Sequence, residues 1–522
     1  MLSDVPTRVL RAPSASMRAL PAELLLEIFK FHHAISRPAR ESVWCPVDDL
    51  LSEDVFPHAP AAVCMSWRSI LSTVPVFWTR VVMFTEAPGC YSLSYLNSQL
   101  EWSRNLPLDV FVVTRDRGES AVTPDAERAR IREIMTTLAP HVQRFQSLCY
   151  ELKFTSSLPR LASDFPDVMP CLTDLTLNAK VGNGPSAFLD GSKPINFPFP
   201  RLKDLAIDGW NFVDIFATSS WWSDTFLHDA NSLSISHYRP TPDEKNDPFL
   251  LADALDFFAQ FRSLSLSHLT FAQEIDLSST HNPTPWMSPR TSLFLSHLSA
   301  PLTALLLEAH YTRHLAIEHC PLTDVTVLEA GEVTLRDIPD PGAGDLYSSR
   351  SLSYDLRGLL PMWDGDTLRI EACPGLDDRV LDVLRGTTIN RTQAARVEGL
   401  NAPNLTELHI EGCTGVSVEA LRRMTNARLA WVAAGKKEEF EGLERLNSFM
   451  VKARGVGSGS VEEADRKWFE NVGCDVRCYA IDATYHVRYT DKPDGRIGNE
   501  GTMRFRLAIP DPEPTSNFLS QP

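Results

Sequence analysis

The chain has 522 residues, enough for two or more domains with sizeable cores, and its 43% hydrophobic and 22% charged content is that of an ordinary globular protein. Its net charge of −17, from 50 basic and 67 acidic residues without a basic run, argues against nucleic-acid binding, which draws on Lys and Arg to neutralise phosphate. No apolar run approaches the ~18 residues of a membrane span, and Arg8, Arg11 and Arg18 precede no continuous apolar stretch, so neither a span nor a signal peptide is expected.

In chain order, Met1 to Arg18 is polar, carries Pro6 and Pro13, and reads as a flexible lead. The run LPAELLLEIFKF (Leu20 to Phe31) then opens a helix. Pro21 suits its first position, and Glu23 falls in the first turn, where the helix dipole favours a carboxylate. Leu24, Leu25, Ile28 and Phe29 repeat at spacings of three and four and read as one apolar stripe. A second run, AAVCMSWRSILSTVPVFW (Ala61 to Trp78), places Val63, Cys64, Trp67, Ile70 and Leu71 on a common helical face. Pro75 stops that helix, and Phe77 and Trp78 follow as a bulky plug.

The order of residue types resembles the F-box of the large fungal-type families. Leu20, Pro21, Glu23, Leu24, Ile28 and Phe29 are followed by Val63, Cys64, Trp67 and Arg68, then by Pro75 and Trp78. The resemblance covers about 60 of the 522 residues. One departure stands out: His32 to Pro60 separates the two helices where an F-box has a short connection, and it reads as an insertion.

Beyond this region RVVMF (Arg80 to Phe84) reads as a strand, Tyr91 to Ser103 as a helix, PLDVFVV (Pro107 to Val113) as a buried strand and Asp125 to Leu138 as an amphipathic helix. Alternation of strand and helix points to the α/β class. From about residue 140 a short phrase with apolar residues two apart recurs. Its strand positions are Leu152, Leu175 and Leu177, Leu205 and Ile207, Leu233 and Ile235, Leu264 and Leu266, Leu305 and Leu307, and Val325 and Val327. Two later copies align at a shift of 40 residues, Leu368, Ile370, Cys373, Gly375 and Leu381 against Leu408, Ile410, Cys413, Gly415 and Leu421. This resembles the cysteine-containing leucine-rich repeat, in which stacked neighbours bury a strand face that no single repeat can cover. The copies are unevenly spaced, with Pro-rich segments at His281 to Pro289 and Ile338 to Ser351. Ala427 to Ala434 reads as a further strand, Lys436 to Ala453 as a helix, Gly455 to Ser460 as a connection and the end as a disordered tail.

Signatures of catalysis are missing from the sequence: there is no HExxH, GxSxG, Walker pattern or CxxC. The ten cysteines read as reduced, buried thiols of a cytoplasmic or nuclear protein. Cys474, Cys478 and His486 lack the further ligands a zinc site needs, and His32 and His33 read as solvated residues at a helix end. Trp210, Trp221 and Trp222 read as packing between repeats.

The expected architecture is therefore α/β, with an N-terminal three-helix F-box followed by an irregular leucine-rich-repeat-like solenoid. The expected bounds are a lead at 1–18, the F-box at 19–80 with its insertion at about 32–60, the solenoid at 81–450, a cap at 451–508 and a tail at 509–522. The resemblance implies a non-enzymatic substrate receptor of a Skp–cullin–F-box ubiquitin ligase. It would dock on a Skp-type adaptor, and through it a cullin, by way of Leu20, Pro21, Leu24, Ile28, Phe29, Val63, Cys64, Trp67, Ile70 and Trp78, and hold a protein target with the repeats. No cofactor, metal, nucleic acid or membrane is expected as a partner. The alternatives are an adaptor-binding scaffold outside ubiquitination, and an enzyme built on one doubly wound α/β domain.

Overall fold

The computed structural model describes residues 20–36, 56–85, 93–114, 122–185, 199–218, 231–240, 251–271, 290–339, 352–386, 401–433, 450–454 and 467–468, apart from breaks of one to three residues. The chain divides into two compact units, Met1–Glu274 and Ile275–Pro522.

The first unit opens with helices α1 (Ala22–Ser36), α2 (His58–Val63) and α3 (Met65–Ser72) and a 3-10 turn at Pro75–Trp78. Strand β1 (Arg80–Phe84) follows after a single residue. Then come α4 (Leu93–Trp102), β2 (Leu108–Val113), α5 (Pro124–Leu138), β3 (Phe145–Phe154), β4 (Asp174–Val181), β5 (Asp204–Asp208), α6 (Gly209–Thr218), β6 (Ser232–Tyr238), α7 (Leu251–Phe258) and β7 (Ser263–Leu269). All pairings of β1 through β7 are parallel and join strands adjacent in the chain. Register lines up Leu148, Leu175, Leu205, Leu233 and Leu264 in one row and Tyr150, Leu177, Ile207, Ile235 and Leu266 in the next. Both rows are buried, so alternate residues of every strand build the core.

Connections are fixed locally. Thr123 caps α5 by accepting the Ala126 N–H at 3.3 Å, and Pro124 takes the first helical position. The buried Glu127 carboxylate accepts the backbone N–H groups of Lys153 and Phe154 at 2.9 and 3.2 Å and the Thr114 hydroxyl at 2.5 Å, tying α5 to the ends of β2 and β3. Asp208, fully buried, accepts the Asn211 side-chain N–H at 2.6 Å, while the Asn211 side-chain oxygen accepts the Leu161 N–H at 2.9 Å.

The second unit contains β8 (Arg290–Ser296), α8 (Ala300–Glu308), β9 (Thr312–Glu318), β10 (Ala330–Arg336), α9 (Leu352–Leu359), β11 (Thr367–Glu371), α10 (Asp378–Arg385), β12 (Glu407–Glu411), α11 (Val418–Ala433) and β13 (Met450–Arg454). These strands too pair in parallel and in chain order. Leu293, Leu315, Val333, Leu368 and Leu408 form one register row, and Leu295, Ile317, Leu335, Ile370 and Ile410 the next.

This overturns the expected fold class. The chain is an α/β fold organised on all-parallel sheets, not a three-helix F-box followed by a leucine-rich-repeat-like solenoid. The N-terminal helices are no free-standing bundle: Pro75–Trp78 runs straight into the first strand, and Trp78 packs on Trp102 of α4. Nor do the expected repeats hold as units. Leu305 and Leu307 lie in α8, where a continuous run of Leu and Ala favours a helix over a strand. Val325 is irregular, Val327 lies outside the described residues, and the neighbouring strands are instead Thr312–Glu318 and Ala330–Arg336. The segment read as a strand from Ala427 continues α11 to Ala433. The insertion between residues 37 and 55, Trp221 and Trp222, both Pro-rich segments apart from 338–339, the Gly-rich connection, Cys474, Cys478, His486 and the tail lie outside the described residues.

Candidate functional site

The N-terminal helices carry two apolar faces, not one. Leu25 and Phe29 of α1 are buried with Ala61, Leu71, Phe77 and Trp78. Leu24 and Ile28, assigned to the same stripe by spacing alone, are 53% and 43% exposed. Phe31 and Ile35 continue their line at 69% and 66% exposure. At 3.6 residues per turn these four side chains fall within about 60° of one another, centred about 110° round the helix from the buried pair. The helix thus keeps four large apolar residues in solvent on one stripe beside the face it buries.

The second run is broken at Cys64, whose extended backbone separates α2 from α3. Val63 and Met65, on either side of the break, are exposed at 62% and 74%. Trp67 is half-buried and meets Phe29 edge-on at 5.2 Å between ring centroids, and Ile70 and Leu20 also pack against this core. Trp78 is buried, with its indole N–H donating to the Leu71 carbonyl at 2.9 Å. Of the ten residues expected at an adaptor, the structure therefore leaves Pro21, Leu24, Ile28 and Val63 exposed. It half-buries Leu20, Cys64, Trp67 and Ile70 and sends Phe29 and Trp78 into the core. Phe31, Ile35, Met65 and Val76 were missed as exposed residues. For Phe31 and Ile35 the signal was present, since both extend the spacing of Leu24 and Ile28.

Below this surface the helices are locked to α4. His58 lies with its Nδ1 3.1 Å from the Tyr95 hydroxyl and 3.4 Å from the Gln99 amide nitrogen. Burial, assisted by the Arg80 charge, lowers its pKa to about 4, so it is neutral near pH 7. His32 and His33 are not simply solvated residues at a helix end, for their rings pack on Phe56 at 5.2 and 5.6 Å, and His33 also meets Phe77 at 5.1 Å.

A second surface lies on the sheet of the second unit. Parallel sheets are normally covered on both faces. Here one face carries the buried rows, while the alternate residues His314, Glu332, Arg369 and His409 are half-exposed or exposed. His314 Nδ1 is 3.0 Å from Glu332 Oε2, and His409 Nε2 is 3.3 Å from Glu407 Oε2. This is a charged, open platform. Because strand order in each unit follows chain order, neither unit has the reversal of order at which doubly wound sheets place their ligand crevice.

Cys320, Cys373 and Cys413 are fully buried thiols at strand ends; burial pushes Cys320 up, and the hydrogen bond with Cys413, assisted by burial, pushes Cys373 up, away from ionisation. No described helix is long and apolar enough to cross a membrane. No protein-family model matches the chain, and no curated protein matches it in sequence.

Proposed function

We propose that this protein is a substrate receptor of a Skp–cullin–F-box-type ubiquitin ligase, docking on a Skp-type adaptor through its N-terminal helices. The observation that carries the reading is the exposed stripe of Leu24, Ile28, Phe31 and Ile35, within and just beyond the segment that resembles the F-box in sequence. A helix that presents an apolar line at i, i+4, i+7 and i+11 fits a hydrophobic groove on a partner. The open polar sheet face of the second unit supports the other half of the reading, since it offers His, Arg and Glu side chains on a rigid platform for a protein target. Such a receptor makes no bond itself. It raises the effective concentration of a target lysine near the ubiquitin-conjugating enzyme.

Capture of a purified Skp-type adaptor by the full-length chain tests this, run beside the double variant Leu24→Asp with Ile28→Asp. Capture by the wild type and its loss in a variant with unchanged circular dichroism is the expected result. No capture by folded wild type would overturn the reading. Capture without turnover of any bound protein would favour the scaffold alternative.

A further inference from the structure

At the carboxyl ends of the strands one backbone position recurs. His297, His319, Asp337, Ala372 and Gly412, each just past the end of its strand, all have φ between 48° and 68°. The N–H of each of the first four donates to the last carbonyl of the next strand: His297 to Glu318 at 3.0 Å, His319 to Arg336 at 3.1 Å, Asp337 to Glu371 at 2.9 Å and Ala372 to Glu411 at 2.7 Å. Ala and Gly occupy the same position, so the conformation belongs to the fold and is not itself a sign of function. What it does is align side chains one strand spacing apart on a rigid backbone, and here the sequence places His, His and Asp in succession.

We propose that Glu318, His319 and Asp337 form a binding site for a divalent transition-metal ion of the zinc type. One ligand atom from each side chain lies within 4.8 Å of the other two. His319 Nε2 is 3.9 Å from Glu318 Oε1 and 4.0 Å from Asp337 Oδ2. Donors bound tetrahedrally to zinc at ~2.1 Å stand roughly 3.4 Å apart, so small carboxylate rotations close the set. One imidazole and two carboxylates are nitrogen and oxygen ligands suited to zinc, and three protein ligands leave a fourth position to solvent.

Two further observations support the site. The Arg336 guanidinium is directed elsewhere: its Nε and Nη2 both donate to Glu371 Oε2, at 2.9 and 2.7 Å. Glu318 and Asp337 act on that guanidinium through charge alone, so a single Arg336 is shared among three carboxylates, whose remaining negative charge a dication would offset. His297 stacks on His319 at 4.3 Å between centroids with a 23° tilt, which restricts the orientation of the His319 ring. The comparable stack of His237 on His268, at 4.6 Å in the first unit, belongs to no such metal-ligand cluster among the described residues and serves as an internal control.

The test is titration of the full-length, chelator-treated chain with Zn²⁺ by calorimetry and with Co²⁺ by visible absorption. The expected result is one tight equivalent per chain with the absorption of tetrahedral cobalt. His319→Ala and Asp337→Asn should each weaken it roughly tenfold or more, since even partners outside a ligand set typically cost that much. His268→Ala should leave it intact. Conservative Asp337→Asn keeps the volume of the site, so a normal melting curve with lost metal binding separates ligand loss from unfolding. Wild type without stoichiometric binding, or binding by both His319→Ala and Asp337→Asn as tight as that of the wild type, would overturn the proposal.

Discussion

The indole rings of Trp78 and Trp102 meet at 4.4 Å between centroids, inclined by 56°, and join the N-terminal helices to the first helix beyond strand β1. Tyr95 adds to the same contact at 6.3 Å from Trp102. The module that resembles an F-box in sequence thus shares its core with α4, and a cut after residue 80 would remove the ring that packs on Trp78.

From this contact follows a stability prediction. Trp102→Ala should destabilise the first unit by roughly 2–3 kcal/mol, somewhat below the ~3–5 kcal/mol typical of a fully buried aromatic, because Trp102 is half-buried. A fragment ending at residue 80 should fail to give a cooperative melt. Denaturant titration of both species checks this, and an independently folded fragment would show that the bundle stands alone.

His58 predicts an acid-sensitive core. Its folded pKa of about 4 lies below its unfolded value of 6.5, so only the unfolded chain takes up a proton in that window. Stability is therefore full above about pH 6.5 and falls as pH drops towards 4. His58→Gln, which can still meet the Tyr95 hydroxyl, should remove part of that fall. Urea midpoints at a series of pH values would reveal it, and parallel curves for the two proteins would contradict it.

Asp208 has the opposite sign. Burial raises its folded pKa to about 7 from an unfolded 3.8, despite the hydrogen bonds it accepts from Asn211 and Trp210. The folded chain holds the extra proton between those values, so this group's stabilisation is lost as pH rises from about 4 to 7. Asp208→Asn resembles the neutral form and should flatten this slope. A steeper loss in the variant would rule out the assignment.

How much of this was legible beforehand depends on what each residue's signal encodes. Alternating apolar residues at Leu175 and Leu177, or Leu368 and Ile370, gave correct strands, and the 40-residue shift matches the observed pairing of Leu368 with Leu408 and Ile370 with Ile410. The same alternation misled at Leu305 and Leu307, because a run of Leu and Ala satisfies both periods and only its packing decides. On α1, apolar spacing grouped Leu24 with Leu25, yet one is exposed and the other buried, since spacing identifies apolar faces without saying which has a partner. The architecture was misread because the N-terminal motif specifies helices, whereas Trp102, far along the chain, determines what they pack on. The Glu318, His319 and Asp337 cluster carries no sequence motif at all. It exists because register sets strand ends side by side.

Gly365 offers a check on the packing of the second unit. A Cβ there would collide with the backbone carbonyl oxygens of Gly331 and Ala330, which cannot yield as a flexible side chain can. Gly365→Ala should cost roughly 2–3 kcal/mol and weaken the Trp363 indole bond to the Ala330 carbonyl, now 2.7 Å. Thermal unfolding followed by tryptophan fluorescence would register it, and an unchanged midpoint would speak against this close approach.

The central claim is that the exposed stripe of α1 is a docking face, and the affinity of the full-length chain for a purified Skp-type adaptor tests it most directly. Leu24→Ala, Ile28→Ala, Phe31→Ala and Ile35→Ala, measured by calorimetry, should each weaken binding while leaving the melting temperature unchanged. Phe29→Ala, by contrast, should lower the melting temperature. Wild-type binding that is undetectable, or equally tight in all four stripe variants, would contradict the account.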